Sequence, residues 1–404
     1  MARNKLVQEY VLITSMNFPS GGAGASYLNL FCRGLKSNGC KISVLLLKGY
    51  AFGNFSPNES RKNITSEGIP YTYLGLRKRP ENQFLKLLDE FLSISRLIIF
   101  LVSLLKNRHS VSLLVFNSEI QYNLPIFLIT KPLGIRVFKF VAEIIDKSEF
   151  KGSFLRQIKR YGHLFNFRYL NRTSDKMILF SYYLKDLYLQ MGYLEENIFV
   201  QPNLTDFEYW KPVATKIKYT LGYSGAPYQK DGLSDLFRAM SMLNGDLSNI
   251  SLLVIGDAPF GKSLIPDLRL ECERLGLSGK VTFTGLVQSS KVKHYLSECE
   301  ILTITRPSTI QTQAGFPTKL GEYFASGKPI LATDFGDMGR YFKNGSEIVM
   351  AECGNPQSIA NKLHWMLQNR NELELISKNG FERAKKLLEY RSSVTKIHNF
   401  LSLS

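Results

Sequence analysis

Apolar runs of five or six residues recur along this chain, separated by stretches with helical spacing. Residues 10–14 (YVLIT) read as a first strand, 25–38 as an amphipathic helix and 41–47 (KISVLLL) as a second strand. Residues 111–116, 137–141 and 176–180 continue the series. Strands alternating with helices call for parallel sheets flanked by helices. The pattern lapses over 201–218 (QPNLTDFEYWKPVATKIK), where two prolines fall and periodicity is lost. It restarts with strands at 219–223, 251–255, 280–283, 301–305, 330–333 and 347–350, and a short amphipathic helix over 392–403 closes the chain. Two α/β halves in tandem are predicted.

One helix carries more chemistry than the rest. In 314–330 (AGFPTKLGEYFASGKPI), Pro317 suits a first helical turn, and Gly327 with Pro329 stops the helix. The first N–H groups, around Thr318 and Lys319, would face a negatively charged ligand. Glu322 follows one turn later among Leu320, Tyr323, Phe324 and Ala325, which disfavours a plain surface acid.

Length, charge and cysteine usage bound the picture. A chain of 404 residues is long for one core, so two domains are the natural division. The five cysteines are dispersed and form no C-x-x-C pair, which fits a reducing cytoplasm. The N-terminus runs into a strand and a glycine loop without the apolar stretch of a signal peptide. The longest uncharged apolar run, 97–105, is about half of the roughly 20 residues a membrane span needs. Residues 1–210 hold 27 Lys and Arg against 16 Asp and Glu, and the remainder 24 against 18. In the more basic half, 84–108 and 150–172 mix cations with aromatics and leucines. That composition fits an anionic membrane surface, with Lys151, Arg156, Lys159 and Arg160 as contacts, and equally a solvated helix face. No zinc finger, RNP-like aromatic motif or basic heptad points to nucleic acid.

Two loops join the helix. FPSGGAG (18–24) lies between the first strand and its helix, and GYSGAPYQKDG (222–232) follows the first strand of the second half. With 314–330 they resemble the nucleotide-sugar signature of the GT-B glycosyltransferases, in particular the large retaining family 4. The resemblance implies an α/β GT-B fold: two Rossmann-like domains with parallel sheets facing an interdomain cleft. Residues 1–205 would form an acceptor-side domain, 206–390 the nucleotide-sugar domain, and 391–404 a helix crossing back to the first domain. Gly22, Lys230, Thr318, Lys319 and Glu322 would bind the donor, Glu322 through the ribose hydroxyls, and Lys230 would also serve catalysis. Glu143, in FVAEIID (140–146), stands where many relatives carry a histidine and would be catalytic.

The chain departs from the family at two places. Ala226 fills the slot of a frequent arginine, leaving phosphate neutralisation to Lys230 and Lys319, and Ala314 replaces the first acid of the usual pair. The implied activity is retaining transfer from a UDP- or GDP-sugar to a glycan or lipid-linked acceptor, in cell-surface polysaccharide biosynthesis. Neither H-x-x-x-H nor D-x-D occurs, so no metal and no cofactor beyond the donor are expected. The place of action would be the cytoplasm, including the inner face of the membrane. Three other readings stay open: a sugar-nucleotide epimerase of the same architecture, a non-catalytic sugar-nucleotide binder, and a P-loop NTPase. The last rests on Gly256 to Ser263, which fit G-x-x-x-x-G-K-[ST] after a strand, although Pro266 sits in the helix that should run on from Lys262.

Overall fold

The computed structural model describes residues 8–50, 62–106, 110–144, 154–243, 250–258 and 263–403, without the side chains of 154–156. The described chain divides into two compact units, Met1–Leu204 with Tyr390–Ser404, and Thr205–Glu389.

The first unit is built on eight strands: β1 (Glu9–Thr14), β2 (Lys41–Leu46), β3 (Lys62–Ile64), β4 (Pro70–Tyr73), β5 (Val111–Phe116), β6 (Val137–Val141), β7 (Lys176–Leu179) and β8 (Ile198–Val200). They lie in the order β3-β4-β2-β1-β5-β6-β7-β8. All pairs are parallel except β3 with β4. Strand β1 shows why the sheet is buried on both faces. Tyr10 and Leu12 join one core cluster with Leu28, Phe31, Val394 and Ile397, whereas Val11 and Ile13 join another with Leu97, Leu101 and Ile126. A strand's side chains alternate, so a continuous apolar run such as YVLIT serves two layers at once. The helices of these layers are α1 (Ala23–Ser37), α2 (Gln83–Ser103), α3 (Ile120–Thr130), α4 (Phe154–Phe165) and α5 (Tyr182–Gln190).

The second unit repeats the plan with β9 (Tyr219–Ser224), β10 (Leu252–Ile255), β11 (Val281–Phe283), β12 (Cys299–Ile304), β13 (Ile330–Thr333) and β14 (Val349–Ala351). Their order is β11-β10-β9-β12-β13-β14, with every pair parallel. Helices α6 (Leu233–Ser241), α7 (Ile265–Arg274), α8 (Ser289–Ser297), α9 (Ile310–Ala314), α10 (Thr318–Ala325), α11 (Met338–Tyr341), α12 (Pro356–Gln368) and α13 (Arg370–Leu388) surround it. The last helix, α14 (Tyr390–Ser402), belongs to the first unit and packs on α1.

Both sheets turn back at their first strand. The chain winds outward through β2 or β10, then restarts on the other side with β5 or β12. In such sheets ligands bind beyond the carboxyl ends, where the winding reverses. Three strands escape the hydrophobic pattern. Strand β3 is KNI on an edge, β4 begins at a proline, and β8 has three residues, so none offers a run long enough to register. Pro317 is the N-cap of α10, one residue outside the first helical turn.

Candidate functional site

The reversal point of the second sheet holds a buried ion cluster. Strand β9 ends at Ser224, and the chain then runs through Gly225 and a 3-10 turn, Gln229–Asp231, to Gly232. Gly232 takes φ +69, and a Cβ there would lie 1.8 Å from the Thr305 carbonyl oxygen, so only glycine fits. Thr305 Oγ1 in turn donates to the Gly232 carbonyl at 2.9 Å, tying the end of β12 to this loop. That pairing brings Asp231 to Arg306. The guanidinium donates to Asp231 Oδ1 at 3.1 and 3.3 Å, and Lys319 Nζ, from the first turn of α10, reaches the same oxygen at 2.9 Å. Lys319 also donates to Tyr223 Oη at 2.8 Å and sits 4.0 Å from the centre of that ring. Tyr323 Oη accepts from the Ser224 N–H at 2.6 Å, which pins α10 to β9.

These contacts set the charges. Burial alone would raise the Asp231 carboxyl, but Lys319 and Arg306 outweigh it and hold it below its ordinary range. For Lys319 burial is the dominant influence and lowers the ammonium to about 8 against the pull of Asp231. Glu322, partly buried one turn further along α10, is pushed up to about 7 by burial, which exceeds the opposing effect of Lys319. Its carboxyl pairs with no cation, and Lys230 pairs with no acid, among the described residues. The site therefore keeps Glu322 and Lys230 outside an ion cluster in which one acid holds two cations.

Of the predicted residues, the structure brings Lys230, Thr318, Lys319 and Glu322 together on the β9 loop and the start of α10. Lys319 is not a bare point charge, because Asp231 holds it. Asp231, Arg306 and Tyr223 were not foreseen. The available signals were an acid wedged between Lys230 and Gly232, and an arginine directly after the strand at 301–305.

Gly22 and Glu143 belong to the first unit. Gly22 caps α1 at φ 107, and its carbonyl accepts from Ser26 N–H at 3.0 Å. Glu143 is exposed two residues past β6, and Ile145 and Asp146 lie outside the described residues. The reversal point of this first sheet instead holds Ser15, whose Oγ donates to Asn117 Oδ1 at 3.0 Å. Buried Lys139 donates to the Asn117 carbonyl, and Lys48 pairs with Glu119. A depression of about 540 Å³ lined by Lys131, Arg172 and Tyr193 lies at the amino ends of β6 and β7. It holds none of the predicted groups.

The P-loop motif, Gly256 to Ser263, is described only at its two ends. Residues 259–262, Lys262 included, lie outside the described residues, but Ser263 is not helical and α7 begins only at Ile265. Ser263 Oγ donates to Asp257 at 2.8 Å, and Gly256 bridges to Gly285. Among the described residues no three His, Cys, Asp or Glu side chains converge as a metal site would require.

The two sheets and their winding make this a GT-B fold. Residues 206–383 match the model of the family described as glycosyl transferases group 1. The second unit is thus a glycosyltransferase group 1 domain. An uncharacterized glycosyltransferase of Methanocaldococcus jannaschii, MJ1178, is 24% identical over 227 residues. The match takes in 54% of this chain and 57% of that protein, less than two thirds of its length. Sucrose-phosphate synthase from Thermosynechococcus elongatus superposes with a TM-score of 0.74 at 15% identity, covering 98% of both chains. Anabaena Alr3699/HepE in complex with UDP superposes at 0.71 with 17% identity, covering 98% of this chain and all of that one. At these identities the superpositions speak for the fold.

Proposed function

We propose that this protein transfers a sugar from a UDP- or GDP-sugar to a hydroxyl of a glycan or lipid-linked acceptor, retaining the anomeric configuration and using no metal. The observation that carries this reading is the meeting of Lys319 and Arg306 on Asp231, next in sequence to Lys230, with unpaired Glu322 one turn further along α10, where the second sheet reverses. In transfer the bond from the anomeric carbon to the diphosphate oxygen breaks, one to the acceptor oxygen forms, and the proton of the acceptor hydroxyl passes to the departing diphosphate. The negative charge that grows on the departing diphosphate would be met by the cations and by the start of α10. With Asp231 cancelling one of the three cations, a net charge of about +2 faces a leaving group of similar opposite charge. Glu322 would accept hydrogen bonds from the ribose hydroxyls. A UDP-sugar donor is supported by HepE, which binds UDP and UDP-glucose.

Glu143 would hold the acceptor or the sugar on the first unit, and cell-surface polysaccharide synthesis is the fitting pathway. Peripheral contact with an anionic membrane belongs to the same reading. Mass spectrometry of nucleotide sugars retained on the purified protein, followed by a donor panel in chelator, tests it. Release of UDP or GDP with an α-donor giving an α-linked product is the expected result. Inverted product, or turnover only after metal is restored, would refute the mechanism. Glu143→Gln should lower turnover while leaving nucleotide affinity unchanged.

A further inference from the structure

Helix α2 has two apolar faces, and the fold uses only one. Asp89, Ser93, Leu97 and Leu101, spaced four apart, are buried. Leu97 and Leu101 enter the core, Ser93 Oγ donates to the Leu47 carbonyl at 2.6 Å, and Asp89 accepts from Leu76 N–H at 2.5 Å. Arg96 also turns inward, donating to the Leu74 carbonyl at 2.6 Å. The outward side carries Phe84, Leu87, Phe91, Ile99, Val102 and Leu105, all exposed, with Phe91 at 67% and Ile99 at 68%. Their steps of three, four and eight residues keep them on one side of the helix and of the 3-10 turn that follows it, Leu104–Lys106. A globular protein rarely leaves such a stripe to water.

The stripe has neighbours of the same character. Helix α3 packs on both α2 and α4 and exposes Leu128, and α4 with its continuation exposes Tyr161, Phe165 and Tyr169. Residues 154–174 contain no Asp or Glu, and Lys131, Lys159 and Arg168 are exposed. These three pair with no acid among the described residues. No described helix is long and apolar enough to cross a membrane. Apolar residues and aromatics beside unpaired cations match a helix lying in the plane of an anionic bilayer surface. A two-fold dimer through the same face would gather both copies' Lys131, Lys159 and Arg168 with no acid from 154–174 to pair them, which like charge opposes.

We propose that the outward stripe of α2, with the basic surface of α3 and α4, docks this protein on the surface of an anionic bilayer. The stripe supplies apolar insertion and Lys131, Lys159 and Arg168 supply the charge selectivity. This deepens the membrane contact of the proposed function and rests on it, whereas nucleotide binding is assigned to the second unit and is measured separately.

The test is sedimentation with vesicles of phosphatidylcholine alone or mixed with phosphatidylglycerol. Wild type should bind the mixed vesicles at low salt and lose them as salt rises. Phe91→Ser with Ile99→Ser should abolish binding. Lys131→Gln, Lys159→Gln and Arg168→Gln should each weaken it about fivefold, roughly a hundredfold together. Nucleotide affinity and circular dichroism should stay unchanged in both variants. Equal binding by wild type and both variants, or no binding by wild type, overturns the proposal. So does a wild-type dimer in analytical ultracentrifugation that the serine pair converts to monomer.

Discussion

The two units share one winding plan and treat its reversal point differently. In the first, Ser15, Asn117, Lys139 and the Lys48–Glu119 pair satisfy one another, and the predicted acid Glu143 stands apart on the loop after β6. In the second, Asp231 gathers Arg306 and Lys319 while Lys230 and Glu322 remain without partners among the described residues. A sheet edge becomes a ligand site when its polar groups are positioned but not all consumed by each other. The outer surfaces differ in the opposite sense. The first unit leaves the stripe of α2 uncovered, whereas most large apolar side chains of the second are buried.

The largest effect should come from breaking the cluster. Asp231→Asn leaves Lys319 and Arg306 without their shared counter-charge, and removing one partner of a buried ion pair costs about 3 to 5 kcal/mol. Both tryptophans, Trp210 and Trp365, lie in the second unit, so fluorescence during urea unfolding reports that unit alone. Because the Asp231 carboxyl is held below its ordinary value, its contribution is present above the unfolded value and lost as pH falls through the folded one. An unaltered urea midpoint at neutral pH would show that the cluster is not what steadies this edge.

Nucleotide binding should respond next. Glu322→Gln removes a charge-assisted acceptor from the ribose, a loss of about 1.5 to 3 kcal/mol. Calorimetry with UDP and GDP measures it, and unchanged affinity for both would sink the ribose role. The pH dependence sharpens this. With Glu322 at about 7, affinity should rise about fivefold from pH 6 to pH 8 as the carboxylate forms, half of the Lys319 ammonium being lost by then. With Lys319 at about 8, affinity should then fall as the ammonium is lost. The acid limb should vanish in Glu322→Gln while the alkaline limb stays. Stability has the reverse sense: a raised carboxyl favours the folded state at low pH and ceases to do so as pH rises through about 7. Glu322→Gln should therefore gain roughly 2 kcal/mol relative to wild type at pH 8 and little at pH 5.

The sequence makes the strand cores legible because each is a continuous apolar run bounded by glycine or charge, and β1, β5, β9 and β13 fall within one residue of their predicted limits. Strands such as β3 leave no trace because an exposed three-residue edge needs no apolar pattern. On the site, Lys230, Lys319 and Glu322 could be found because a helix start and a glycine loop mark them locally. Arg306 could not, since its partner Asp231 is 75 residues away and only the adjacency of β9 and β12 brings them together. The outward stripe of α2 was read as a mixture of cations and leucines, because one-dimensional composition does not separate its two faces.

The smallest predicted effect separates a turn from a ligand loop. Gly22 and Gly232 stand at matching places, after the first strand of each unit, and both have positive φ. At Gly232 an added Cβ would collide with the Thr305 carbonyl, so Gly232→Ala should distort the ion cluster and depress nucleotide affinity. At Gly22 the same Cβ would meet nothing within 4 Å, which leaves only the strain of a backbone conformation (φ 107, ψ −174) almost confined to glycine, about 1 to 3 kcal/mol. Thermal unfolding of the first unit followed by near-ultraviolet circular dichroism should show that modest loss. If Gly22 serves only the turn, kcat/KM of Gly22→Ala measured well below the unfolding temperature should match wild type. If the loop approaches the donor as proposed, kcat/KM should fall severalfold although the fold is intact, since the new methyl group would occupy space the ligand needs. A wild-type kcat/KM would remove Gly22 from the binding residues and leave donor recognition to the second unit alone.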